Sequence, residues 1–156
     1  MSRLLCDSML GRLARWLRLL GYDAPVLKRI PAQAPPGEFL LTRRKAWQGR
    51  PGVVFIAHDR VEDQLKQVLR ELELTPEPRR FFSRCLDCNV PVEPLAREDA
   101  AGRVPDYILD TAEGFTHCPS CGKVFWPGSH GKRAKERLTA TLGQAQGGAS
   151  GAYNCR

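Results

Sequence analysis

Arg3-Leu4-Leu5-Cys6-Asp7-Ser8-Met9-Leu10-Gly11-Arg12-Leu13-Ala14-Arg15-Trp16-Leu17-Arg18-Leu19-Leu20-Gly21 begins as a short apolar run and then changes period. Residues 3–6 read as a strand that ends at Asp7. From Ser8 onward the apolar residues recur at helical spacing until Gly21, a good terminator because it has no Cβ to oppose positive φ. At about 100° per residue, Leu10, Leu13, Ala14, Trp16, Leu17 and Leu20 share one face, while Arg12, Arg15 and Arg18 gather on the opposite side. The apolar stripe is expected to be core. The arginine stripe reads either as a solvated face or as a surface that touches phosphate.

The pattern outward from this unit repeats it. Residues 22–27 are expected to form a second strand, and 30–37 a connector whose prolines, Pro31, Pro35 and Pro36, exclude a helix. Phe39–Thr42 and residues 53–57 are continuous apolar runs, as in strands buried on both faces of a parallel sheet. Residues 61–74 return to helical period, with Val61, Leu65, Val68, Leu69 and Leu72 on one side. Strands alternating with helices predict an α/β layer domain that ends near Pro78.

Beyond Arg84 the signal is different. Cys85-Leu86-Asp87-Cys88 and Cys118-Pro119-Ser120-Cys121 use four of the six cysteines in two Cys-x-x-Cys turns. A tight turn that presents two thiols supplies half of a tetrahedral Zn²⁺ site, and two such turns complete it. A redox Cys-x-x-Cys is expected once, at a helix start, rather than twice. Four thiolates leave no open position, so this zinc is expected to hold the fold and perform no chemistry. Gly122 follows the second turn at a place where positive φ is needed. Residues 90–92 and 107–109 are expected to be short strands of a zinc ribbon, with residues 115–117 leading into its second knuckle. Residues 132–142 are expected to be a basic helix, and the Gly-, Ala-, Ser- and Gln-rich chain from Gly143 a mobile tail.

The formal charge is +7, and a filled four-thiolate zinc site lowers it to about +5. Such a surface favours nucleic acid or another polyanion. No apolar run reaches the ~18 residues that span a membrane. The first seven residues meet a charge too early for a signal peptide, and thiol zinc ligands suit a reducing compartment, so a cytoplasmic location is expected.

Three aspartates stand near strand ends. In open α/β sheets ligands gather at the carboxyl ends of the strands. Asp7 there reads as a ligand for Mg²⁺ or Mn²⁺, or as a helix N-cap. Asp59 follows the 53–57 run and reads as a second ligand or a turn residue, with Asp63 one helical turn further on. Asp23 opens the second strand. If the strands are parallel, Asp7 and Asp59 share a rim.

The run from Asp7 to Asp23 resembles the opening signature of the Mut-seven C-terminal RNase family. Leu40-Leu41-Thr42-Arg43 is similar to its next motif. Arg84-Cys85 through Cys88, Arg103-Val104-Pro105, and Cys118-Pro119 through Gly122-Lys123-Val124-Phe125-Trp126-Pro127-Gly128-Ser129-His130 are similar to its zinc ribbon. The resemblance implies a PIN-like parallel-sheet domain over residues 1–80, a zinc ribbon over 84–130, and a basic helix and flexible tail over 131–156. It further implies a ribonuclease that hydrolyses RNA phosphodiesters with Asp7, Asp23 and Asp59 around Mg²⁺ or Mn²⁺. Structural zinc would be held by Cys85, Cys88, Cys118 and Cys121. Arg12, Arg15, Arg18 or Lys45 would hold the RNA backbone.

Two departures from the family pattern bear on that activity. An aspartate is usual after Leu-Leu-Thr-Arg, and this chain has Arg44, whose guanidinium is able to neutralise the nearby carboxylates and displace the cation. A helix with further acidic residues is expected before that motif, and this chain has the Pro-rich stretch 30–38. The alternative is therefore a catalytically weakened RNA-binding module of the same fold; a protein-docking ribbon is the third reading. Among the remaining residues, His117 competes weakly as a zinc ligand. His130 and Trp126 read as RNA contacts or as packing groups, and His58 as a loop residue. Cys6 reads as a small buried side chain and Cys155 as a free thiol.

Overall fold

The protein is described from a computed structural model over residues 2–145. Strand β1 (Leu4–Asp7) passes through a 3₁₀ turn (Ser8–Leu10) into helix α1 (Gly11–Leu19). Then follow β2 (Val26–Leu27), β3 (Phe39–Thr42), a 3₁₀ turn (Lys45–Trp47), β4 (Val53–Phe55) and α2 (Val61–Glu71). The four strands form one parallel sheet in the order β2-β1-β3-β4.

Alternation along the strands decides what each face buries. Leu4, Cys6, Leu41 and Val54 join Leu10, Leu13 and Leu17 from the first helical segment and Val61, Leu65 and Val68 from α2 in the main core. Leu5 and Leu40, which are register partners, point to the other face, as do Asp7 and Thr42 one step further along. The expected apolar stripe of α1 is therefore the core stripe, with Trp16 packed at its margin. Of the second strand predicted over 22–27, only Val26 and Leu27 pair as a strand. The carbonyls of Asp23 and Pro25 nevertheless accept from Leu4 and Cys6 at 2.9 Å each.

Gly21 is required where α1 stops. Its φ is +90°, and a Cβ there would lie 2.5 Å from the Arg80 carbonyl oxygen. Gly21→Ala is expected to cost roughly 2 kcal/mol, because backbone strain and a clash with backbone act together. A shift in the urea midpoint at constant slope measures it, and an unchanged midpoint would contradict this packing.

The second sheet is antiparallel, in the order β5-β6-β7: β5 (Glu93–Leu95), β6 (Phe115–His117) and β7 (Val124–Phe125). Between β5 and β6 lie α3 (Arg97–Ala100) and α4 (Asp106–Thr111). Ala100, Val104, Ala112 and Phe115 form a separate small core, with Ile108, Leu109 and Trp126 against it. Two expected strands are corrected. Residues 107–109 are helical, because three apolar residues cannot distinguish a strand from a helix and the whole of Asp106–Thr111 closes a turn behind Pro105. Residues 90–92 make only a bridge from Pro91 to Arg84, and the strand lies further on. Pro94 is tolerated there because β5 is an edge.

Helix α5 (Ser129–Ala145) is longer than the expected 132–142 and returns Leu138 to the main core. The tail expected from Gly143, with Cys155, lies outside the described residues beyond position 145. Among the described residues, no helix is long and apolar enough to cross a membrane.

Candidate functional site

The two Cys-x-x-Cys turns come together. The Sγ atoms of Cys85, Cys88, Cys118 and Cys121 all lie within 4.8 Å of one another. Thiolates about 2.3 Å from a tetrahedral ion stand roughly 3.8 Å apart, so the four lie close enough together to hold one metal. Asn89 after the first turn and Gly122 after the second both take positive φ, +60° and +74°. Although burial opposes its ionisation, the Cys118 thiol is held below the ordinary cysteine range by the backbone N–H groups of Cys121 and Ser120 and by the adjacent thiols. His117 faces Glu93 at 3.7 Å and takes no part in the cluster.

The first knuckle is tied to the parallel-sheet region by polar contacts that its sequence does not announce. Arg18, assigned by periodicity to the outer stripe, is only 7% exposed. Its guanidinium donates to the carbonyls of Ala24 at 2.9 Å, Leu86 at 2.5 Å and Asp87 at 3.4 Å. Burial lowers its pKa from the usual arginine value. Its place on the helix wheel borders Ala14, so the docked knuckle covers it, and it is removed from the phosphate-binding candidates. Arg15 pairs with Asp87 at 2.6 Å, and Asp87 also accepts from Lys123. The Lys123 hydrogen bond, followed by that from Arg15, holds the Asp87 carboxyl below the ordinary range. Asn89 accepts from the Ala24 N–H at 3.1 Å and donates to Asp23 at 2.7 Å.

The carboxyl rim of the parallel sheet holds the other candidates. Asp7 is 1% exposed and stands at the N-cap position of the Ser8–Leu10 turn, but its side chain makes no capping hydrogen bond. Its Oδ2 accepts from the Thr42 hydroxyl at 2.9 Å and faces Arg44 Nε at 3.4 Å, and its Oδ1 accepts from Ser8 at 3.2 Å. Asp59 lies on the same rim beyond β4, highly exposed and paired with Arg43 at 2.6 Å. Two strand spacings, about 10 Å, separate β1 from β4. Asp23 lies at the opposite end: its carbonyl pairs with Leu4, at the start of β1, about 10 Å along the strand from Asp7. Its carboxylate is held by Asn89 and by Arg3 at 3.4 Å. The structure thus brings Asp7 and Asp59 to one rim and leaves Asp23 away from it.

This donor set does not suit Mg²⁺ or Mn²⁺, which require several oxygen ligands around one point. Both oxygens of Asp7 have protein partners, no buried side-chain polar atom among the described residues is orphaned, and the four cysteines are the sole metal-competent cluster among them. The rim is instead cationic. Lys28 and Arg29 follow β2; Arg43, Arg44 and Lys45 follow β3; Arg60 follows β4; and Arg12 lies in the first turn of α1. Sequence reasoning missed Lys28, Arg29, Arg43 and Arg60 as candidates. For Lys28 and Arg43 the available signal was a basic residue directly after an apolar strand; Arg29 stands one residue further on, and Arg60 lies in the loop between β4 and α2.

Residues 2–138 match the Mut7-C RNAse domain. The chain belongs to this family. Neither a curated protein nor a solved structure matches it. Membership in the Mut7-C RNAse domain family supports a ribonuclease-type function, with RNA as substrate or partner. The parallel sheet and the four-cysteine cluster are the fold that the opening signature and the paired knuckles led us to expect.

Proposed function

We propose that this Mut7-C member binds the phosphate backbone of RNA along the carboxyl rim of its parallel sheet. The observation that carries this reading is the ring of basic side chains after β2, β3 and β4, where both acidic neighbours are already paired with arginines. Arg12 and Lys45, which are exposed and make no ion pair among the described residues, take flanking phosphates; Arg15 contributes from its half-exposed pair with Asp87. In this reading residues 1–80 are the RNA-facing domain and 84–130 a ribbon closed around structural Zn²⁺. Helix α5 packs back on the first core through Leu138.

A second reading, hydrolysis of RNA phosphodiesters with Mg²⁺ or Mn²⁺, is favoured by Asp7, a carboxylate buried at a strand's carboxyl end. It requires Arg44 to leave that carboxylate and Asp59 to approach it. An end-labelled single-stranded RNA pool separates the two. Binding is expected to fall steeply with salt, and Arg12→Ala and Lys45→Ala should each reduce the slope of log K against log salt by about 0.7. Binding that ignores salt would overturn the first reading. Mn²⁺-dependent cleavage that disappears in Asp7→Ala would establish the second.

A further inference from the structure

Arg44 is placed by its own strand end. Its backbone N–H donates to the Thr42 hydroxyl at 3.1 Å, and that hydroxyl donates to Asp7 Oδ2 at 2.9 Å. The guanidinium forms an ion pair with the same carboxylate oxygen, Nε lying 3.4 Å from it, while about half of the side chain (52%) remains exposed. Nη1 and Nη2 have no partner among the described residues. A guanidinium is a rigid plane of five N–H donors, so committing the Nε edge leaves an outward edge of parallel donors. That edge is the fork that grips two oxygens of one phosphate.

The electrostatics agree. A carboxylate this deeply buried needs a positive neighbour, and the nearest one here belongs to the chain itself. A divalent ion arriving at Asp7 would have to displace Arg44, the Thr42 hydroxyl or the Ser8 hydroxyl. It would find no second carboxylate, because Asp59 is held by Arg43 and Asp23 lies at the other end of the sheet.

We propose that Arg44 is the built-in cation of this rim: it occupies the place beside Asp7 that a divalent ion would need, and it offers its outer edge to one RNA phosphate. The phosphate half rests on the RNA-binding reading above; the cation half stands apart from it.

Two measurements on the zinc-loaded full chain test it. Mn²⁺ alone, followed by its paramagnetic resonance signal, is expected to show no saturable site on the wild type. Arg44→Asp should gain one such site, which adding Asp7→Asn should remove. Saturable Mn²⁺ binding by the wild type that Asp7→Asn abolishes would overturn the cation half. In the second arm, binding of oligouridine is measured at fixed salt. Arg44→Lys keeps the charge without the fork and is expected to weaken binding about 5- to 10-fold, with Arg44→Gln weaker still. Wild-type affinity in Arg44→Lys would overturn the fork. No RNA binding by the wild type would overturn the phosphate half together with the reading it rests on, and the Mn²⁺ arm would still decide the other half. Should Arg44→Asp fail to fold, a wild type without a saturable Mn²⁺ site and a weakened Arg44→Gln would still support the assignment, and their opposites would overturn it.

Discussion

Cys85→Ser is expected to release the metal and unfold the ribbon over residues 84–130. A four-thiolate zinc site contributes folding free energy on the order of 10 kcal/mol, and the small core around Phe115 is too slight to replace it. The effect should spread beyond the ribbon. Leu86 packs against the main core, and the carbonyls of Leu86 and Asp87 are acceptors for the buried Arg18. With the knuckle undone, the remaining α/β region should melt about 10 °C lower, since it loses a few kcal/mol of contacts. Thermal unfolding followed by circular dichroism, with zinc release read by a chromogenic chelator, tests both parts. A variant that keeps one equivalent of zinc and the wild-type melting temperature would refute the assignment of these thiols.

Arg18→Ala is expected to be the most damaging single change outside the metal site, at about 3 kcal/mol. Three backbone carbonyls lose a charged donor, and the Ala24 carbonyl has no route to water at a fully buried residue. Leaving buried acceptors unmade costs about 1–3 kcal/mol each, and relaxation of the knuckle loop recovers part of that. Arg18→Lys should recover less than half, because an ammonium cannot reach Ala24 and Leu86 with fixed, separate N–H groups. Arg15→Ala is the control. Its pair with Asp87 is half-exposed, and Lys123 still serves Asp87, so its cost should stay below about 1 kcal/mol. Denaturant midpoints at constant slope measure all three; equal costs for Arg15 and Arg18 would contradict the burial of Arg18.

These two residues show where local pattern stops carrying information. They are three positions apart on one helix, share a charge, and fall on the same side of the helix wheel. What separates them is a loop more than sixty residues away in the chain. Cys6, by contrast, was legible from its apolar strand: it is fully buried, and burial pushes its thiol up to about 12 despite the nearby Arg18 guanidinium. The same division appears at the rim. Asp7 was recognisable as a strand-end carboxylate, and Arg44 as a departure from the family motif placed two residues beyond the Thr42 that contacts it.

From the sequence alone, the apolar periods of residues 3–21, 39–57 and 61–72 determined an α/β layer, and two Cys-x-x-Cys turns determined a four-thiol cluster. Both depend on spacing along the chain, which backbone geometry converts directly into a shared face or a shared turn. Only the tertiary structure decided that Asp23 opens at the far end of the sheet from Asp7, that Arg18 is buried under the first knuckle, and that Arg44 faces Asp7. Those outcomes depend on strand register and on docking between distant segments. There a shift of one residue sends a side chain to the opposite face, and no local period encodes the choice.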